Sequence, residues 1–312
     1  GECDLQDYAY EYGRGKRRCD TEKITQSKKD IGDKIMLYGD RCIMCTRCVR
    51  FADEISGTSE LFIDGRGAKE YIDVFPGIGI NNELSGNVID ICPVGAMLDK
   101  DFMFQQRVWF LKTTPSIDPL TSSGDNIIIE QNDNAIYRVK PRTNLEINQY
   151  WITDEVRYGW KFVHDESRIT EINDDAEIVA ADMLQQAKSV ALLVSPMLSC
   201  EDAWLLGNLV RGLDSNAIIG IGPVPIVGED KTFKSGFTMR SEKAPNARGV
   251  QRALGDALDY DAWKKQVGNA DTVVITGNYP EAWDTPEITE NQTLILIDTL
   301  ANALIERADV FL

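Results

Sequence analysis

Histidine is nearly missing from these 312 residues, with His164 the only one present. A single imidazole cannot build an HExxH zinc site, and it leaves Ser/His/Asp or Cys/His hydrolytic sets one residue to draw on. His164 lies in Val163-His-Asp-Glu-Ser-Arg168, beside carboxylates and with no nucleophile paired to it, so it reads as a hydrogen-bonded structural side chain. Positive charge is also scarce, with 33 Lys and Arg against 50 Asp and Glu, a formal charge of −17. That balance repels phosphate backbones and anionic lipid, which excludes nucleic acid as a partner. Long apolar runs are absent too. The uncharged stretches Ser189–Cys200 and Asn216–Gly228 contain proline and are too short to span a bilayer, so no direct membrane insertion is expected. No Lys/Arg-led apolar segment opens the chain, and its first methionine is Met36, so position 1 does not read as a translation start.

What is present points elsewhere. Cysteines number seven, an odd count, and Cys42, Cys45 and Cys48 lie within seven residues. This suits an intracellular metal site better than a secreted disulfide framework. The first hundred residues are rich in Cys, Gly and short charged stretches, as expected of a small domain organised by inserted metal. A helix is predicted over 46–55. From about Val108 the text turns β-rich, with a hairpin predicted from Asn126–Glu130, a turn at Gln131–Asn134 and Ala135–Val139. Beyond Asp165 helix and strand alternate. Helices are expected over 174–187, from a capping box at Ser199 and Asp202 to Leu213, and over 249–258. Strands are expected at 189–194, 217–221, 272–276 and 293–297. The alternation predicts a mostly parallel, helix-covered sheet.

The chemistry is concentrated in Arg41-Cys-Ile-Met-Cys-Thr-Arg-Cys-Val-Arg-Phe51 and in Cys92, which follows Cys48 by 44 residues and precedes Pro93. A cubane offers four irons at tetrahedral corners, so one tight loop can serve three of them while a distant segment serves the fourth. Pro93 biases Cys92 toward extended backbone. Structural zinc usually takes two separated Cys pairs, and a lone triplet at this pitch suits it poorly. Cys42, Cys45, Cys48 and Cys92 are therefore the expected ligands of one [4Fe-4S] cluster. Arg41, Arg47 and Arg50 either balance its charge or are solvated surface charges.

Three stretches carry a resemblance: Gly1-Glu-Cys-Asp-Leu-Gln-Asp-Tyr-Ala-Tyr10, the triplet with Val49-Arg50-Phe51, and Ser85-Gly-Asn-Val-Ile-Asp-Ile-Cys-Pro-Val-Gly-Ala96. They resemble the large iron-sulfur subunit of respiratory complex I, the NADH:quinone oxidoreductase. The resemblance implies an α+β ferredoxin-like iron-sulfur domain (1–105), a small β-rich module (106–165) and an α/β domain of molybdopterin-oxidoreductase type without molybdopterin (166–312). It also implies that Cys3 is the last ligand of a second [4Fe-4S] cluster whose other ligands precede Gly1. A [2Fe-2S] domain would lie further upstream, and the strand at Ala308–Leu312 would continue into further sequence. Some relatives place one more cluster where this chain has Asp118, Thr121, Asp125 and Thr153, which cannot replace thiolates, so none is expected there.

The function implied is a one-electron relay to quinone alongside a flavin- and NADH-binding subunit. The place implied is the cytoplasmic face of a bacterial inner membrane or the matrix side of the mitochondrial one. Two alternatives share parts of the pattern. A molybdenum- or tungsten-dependent formate dehydrogenase would want a metal-binding Cys in the rear domain, where Cys200 alone is available. The electron-transfer subunit of an NAD-reducing hydrogenase would end sooner. Cys19, in Lys16-Arg-Arg-Cys19, matches no ligand position, Cys200 reads as a small packed side chain, and Gly277-Asn-Tyr-Pro280 as a turn.

Overall fold

A computed structural model describes residues 3–22, 25–170 and 175–312. The chain divides into two compact units, the first made of 1–118, 123–160 and 230–239, the second of 119–122, 161–229 and 240–312.

The first unit opens with helix α1 (Asp4–Tyr12), none of whose residues is buried. Strands β1 (Lys28–Asp30) and β2 (Ile35–Tyr38) follow. Then comes the short helix α2 (Arg47–Arg50), which widens without a break into a π-helix over Phe51–Ser56. The predicted helix therefore starts a residue late and changes pitch midway. Thr46 stands in the left-handed region (φ 61°) and cannot begin a right-handed helix. A hairpin of β3 (Leu61–Asp64) and β4 (Tyr71–Val74), helix α3 (Asn87–Ile91) and β5 (Met97–Asp99) complete this part. The antiparallel sheet has the order β1-β2-β5. Its apolar side chains gather with those of α2 and α3 into a core that includes Ile35, Leu37, Cys48, Phe51, Val88 and Met97.

Strands β6 (Lys112–Ile117), β7 (Asn126–Asn132) and β8 (Ala135–Pro141) form a second antiparallel sheet in sequence order. The predicted hairpin is present, turning tightly at Asp133 and Asn134, both at positive φ as a type I′ turn requires. The third strand, β6, was not foreseen, because Lys112-Thr-Thr-Pro-Ser-Ile117 carries little apolar patterning and is mostly exposed. Helix α4 (Asp154–Tyr158) follows, capped by Thr153, whose Oγ1 accepts the Val156 amide at 3.2 Å.

In the second unit, α5 (Ala176–Gln186) falls inside the predicted 174–187, position 174 itself lying outside the described residues. Next come β9 (Val190–Val194), α6 (Cys200–Leu213) and β10 (Ile218–Ile221). Ser199 caps α6 by accepting the Asp202 amide at 3.0 Å. The chain then gives 230–239 to the first unit as a ribbon of β11 (Lys231–Thr232) and β12 (Thr238–Met239), whose Phe233 and Phe237 join the core around Cys48. Helices α7 (Ala247–Leu254) and α8 (Tyr260–Gln266) and strands β13 (Thr272–Thr276), β14 (Thr293–Ile297) and β15 (Val310–Phe311) complete the second unit. Helix α7 stops short of the predicted Leu258 because Gly255, at φ 71°, ends it.

All pairings in the five-stranded sheet β10-β9-β13-β14-β15 are parallel, and helices cover both faces. Alternation decides the face. Val190, Leu192 and Val194 pack with α5, α6 and α7, whereas Ala191 and Leu193 pack with α8, whose Trp263 is wholly buried.

Candidate metal centre

Antiparallel pairing of β2 with β5 brings the cysteines together. Leu37 sits opposite Met97, and the Tyr38 amide donates to the Ala96 carbonyl at 2.8 Å, so the end of β2 lies against the start of β5. Cys42 follows β2 by four residues and Cys92 precedes β5 by five, which places both loops at the same end of the sheet. The triplet loop curls tightly, with Met44 (φ 54°) and Thr46 (φ 61°) both left-handed, before Cys48 enters α2. Cys42, Cys45, Cys48 and Cys92 line one cavity, together with Ile43, Thr46, Arg47, Ile72, Val94, Ala96 and Met97.

Electrostatics show thiols held at close quarters in an apolar setting. Burial pushes the Cys48 thiol up to about 12, and the nearby Cys42, Cys92 and Cys45 add to that rise, while the Val49 amide opposes it. Cys42 is raised by the same burial, partly offset by the Met44 amide, which donates to its Sγ at 3.4 Å. Left metal-free, such thiols keep their protons. A metal that replaces the protons removes the mutual penalty, and the two amides are already aimed at sulfur. Among the described residues no group of three or more His, Cys, Asp or Glu side chains is drawn close enough to hold a single metal ion. A cubane, which gives each thiolate its own iron, sets its ligands wider than one ion does. Four thiols around one apolar cavity are a donor set that fits an iron-sulfur cluster.

Helix α3, which delivers Cys92 just past its last turn, is fixed by a buried polar network. Asn87, fully buried, donates to the Leu84 and Ile152 carbonyls at 2.8 Å each and accepts the Ile152 amide at 3.2 Å. Arg157, also buried, pairs with Asp90 at 2.5 Å, and Asp154 accepts from Ser85 Oγ at 2.5 Å and from the Gly86 amide at 2.8 Å. The sequence reading missed this network, although Ser85, Gly86 and Asn87 lay inside one of the stretches that carried the resemblance.

The remaining cysteines lie apart from this cavity. Cys3 is half-buried at the start of α1, packed on the core that includes Cys48. Cys19 is exposed. Cys200 is exposed in the first turn of α6, with its sulfur beside Asn246, rather than packed in the core. Asp118, Thr121, Asp125 and Thr153 are all buried, and burial beside Asp118 lifts the Asp125 carboxyl to about 8. Asn278 is left-handed at φ 72° in the loop after β13, where 277–280 bends without a hydrogen-bonded turn. His164 is exposed at the end of a 3-10 turn.

Residues 32–98 match the family model of the NADH-quinone oxidoreductase subunit 3 ferredoxin-like domain. Residues 111–161 match that of the NADH-ubiquinone oxidoreductase NDSU1/NuoG-like 4Fe-4S domain. The chain is a homologue of the 75 kDa iron-sulfur subunits of NADH-quinone oxidoreductase. It is 44% identical over 160 residues to the NADH-ubiquinone oxidoreductase 75 kDa subunit of Acanthamoeba castellanii, covering 51% of this chain and 24% of that one. It is 35% identical over 261 residues to the mitochondrial NADH dehydrogenase [ubiquinone] iron-sulfur protein 1 of Solanum tuberosum (77% and 34%). It is 34% identical over 229 residues to an NADH-quinone oxidoreductase subunit of Rickettsia felis (69% and 34%). The chain thus spans about a third or less of the length of these relatives. Among solved structures, a chain of an NAD+-reducing [NiFe]-hydrogenase in the H2-reduced state aligns at 28% identity over 34% of this chain and 47% of that one, with a TM-score of 0.31, too loose to inform the fold. The homologous family reaches into 111–161, yet that segment contains no cysteine.

Proposed function

We propose that the chain is an electron-transfer part of an NADH:quinone oxidoreductase, with one [4Fe-4S] cluster ligated by Cys42, Cys45, Cys48 and Cys92. The observation that carries this is the convergence of four thiols on one apolar cavity, with the Met44 and Val49 amides supplied to sulfur. When bound, the cluster supplies reversible one-electron storage. The chain's own residues hold it in place. The triplet loop and Cys92 ligate, Ile72, Val94 and Met97 shield the sulfurs from water, and the two amides soften the negative charge. Cys3 is read as one ligand of a second [4Fe-4S] cluster completed by residues outside this sequence, with a [2Fe-2S] centre further off. The partners are other peripheral-arm subunits, including the flavin- and NADH-binding one. The place is the cytoplasmic face of a bacterial inner membrane or the matrix side of the mitochondrial one. No described helix is long and apolar enough to cross a membrane.

We read 1–105, 106–165 and 166–312 as the functional divisions, with the family matches at 32–98 and 111–161 falling inside the first two. The all-parallel sheet supports a molybdopterin-oxidoreductase type for the third. Such sheets bind ligands where the strand order reverses, here between the carboxyl ends of β9 and β13. A side chain from the loop after β13 crosses that point. Tyr279 is buried and its hydroxyl donates to the Pro223 carbonyl at 2.9 Å, while Asp298 accepts the Asn278 amide at 2.7 Å. These contacts support a scaffold without molybdopterin.

The test is anaerobic reconstitution with iron and sulfide, followed by iron and labile-sulfide counts and EPR after dithionite, with C45S alongside. About four irons and four sulfides per cavity, and a reduced-cluster signal that C45S loses, are expected. Stoichiometric zinc without sulfide, or a cluster that survives C45S, overturns the assignment.

A further inference from the structure

Three arginines flank the triplet, and they are not equivalent. All three are exposed, and Arg47, which lines the cavity, and Arg50 make no side-chain hydrogen bond or ion pair among the described residues. Arg41, immediately before Cys42, is engaged twice. Its guanidinium stacks 4.6 Å from the Tyr38 ring centroid, and Nη1 donates to the Gly95 carbonyl at 3.3 Å. Gly95 lies three residues beyond Cys92, in left-handed backbone (φ 58°).

The place of this contact gives it its meaning. Backbone pairing between β2 and β5 stops at the Tyr38–Ala96 bond. Past that point the triplet loop and the Cys92 loop diverge around the cavity. Among the described residues, Arg41 is the side chain that hydrogen-bonds from one to the other. Tyr38 holds the guanidinium plane from below, since its own ring is anchored where the sheet ends. An arginine suits this task better than a lysine, because its planar fork can stack and donate at once. The same cation belongs to the residue next to Cys42 and rests on the loop that follows Cys92, and a fixed positive charge near a cluster favours its reduced form.

We propose that Arg41 is a positioning residue for the cluster, a clasp across the two ligand loops that also raises the reduction potential. The proposal rests on the four-cysteine cluster reading. Its test compares wild type with R41Q, R41K and R50Q after anaerobic reconstitution, reading the rate of iron release to a chelator and the midpoint potential by EPR-monitored titration. R41Q is expected to release iron about tenfold faster. Its reduced-to-oxidised ratio at a set potential should fall about fivefold, a midpoint roughly 40 mV lower at 59 mV per decade. R41K, with the charge kept and the fork lost, should release iron faster than wild type yet stay within about twofold of its reduced-to-oxidised ratio. R50Q should match wild type in both. The inference is overturned if R41Q keeps the wild-type release rate and potential, or if R50Q shifts both as much as R41Q does. A wild-type protein that takes up no iron and sulfide would overturn the cluster reading beneath it.

Discussion

Replacing Asn87 by alanine should destabilise the first unit far more than the loss of one small side chain suggests. The carboxamide is wholly buried and serves both backbone groups of Ile152, accepting its N–H at 3.2 Å and donating to its C=O at 2.8 Å. The Leu84 carbonyl keeps the Asn87 backbone amide at 3.0 Å, so its loss is partial. Two buried groups at Ile152 thus lose their side-chain partner, at about 1 to 3 kcal/mol each, for a total of about 2 to 6 kcal/mol. Domains of this kind are stable by about 5 to 15 kcal/mol, so the change is a large fraction of the whole. Urea denaturation of N87A against wild type, followed by circular dichroism, measures the loss, and hydrogen exchange at the Ile152 amide locates it. A loss below about 1 kcal/mol, with Ile152 still protected, would refute the account of how α3 is held.

Further expectations concern packing and protons. G220A should cost about 1 to 3 kcal/mol by overpacking, because a methyl at Gly220 would lie 2.5 Å from Trp263 Cδ1; an unchanged thermal midpoint would contradict it. Asp125 holds its proton in the fold up to about pH 8, whereas an unfolded carboxyl loses it near 3.8. Stability should therefore fall as pH rises between those values, by at most about 1.4 kcal/mol per unit, and D125N should flatten the slope. Equal slopes for the two proteins would refute this. In the metal-free protein at pH 8, alkylation mapped by mass spectrometry should reach the exposed Cys19 and Cys200 before Cys48, whose buried thiol is pushed to about 12. Early labelling of Cys48 would count against the cavity.

Legibility followed the range of the signal. The triplet and Cys92 stood out because metal chemistry restricts residue type and spacing directly, and the structure lines one cavity with all four. Strands β9, β13 and β14 were readable because burial on both faces makes them unbroken apolar runs. The π-helical widening after α2 left no trace, since Phe51–Ser56 has the composition of an ordinary helix. Asn87 and Arg157 were opaque for another reason. They are polar residues that serve partners up to 70 positions away, and local pattern cannot tell a buried carboxamide from a solvated one. Asp125 and Thr153 were judged by what they could not ligate, and the structure shows what they do instead, one as a buried acid and the other as a helix cap.

The ribbon of β11 and β12 bears on how the protein is made. Phe233 and Phe237 complete the core around Cys48, Lys231 pairs with Glu83 at 2.6 Å, and the Ser235 amide reaches the Ile55 carbonyl at 3.3 Å. The ribbon's residues leave the ribosome more than 130 positions after Cys92. A nascent chain that has emitted all four cysteines still lacks two aromatic side chains of the core that Cys48 joins. The cavity's own lining, from Cys42 to Met97, would already have been made, whereas the core packed on Cys48 is complete only after residue 239 emerges. The first unit's core is therefore continuous in space but not in synthesis, and a gene truncated at residue 160 would encode all four cysteines of the cavity without the whole of the core that Cys48 joins.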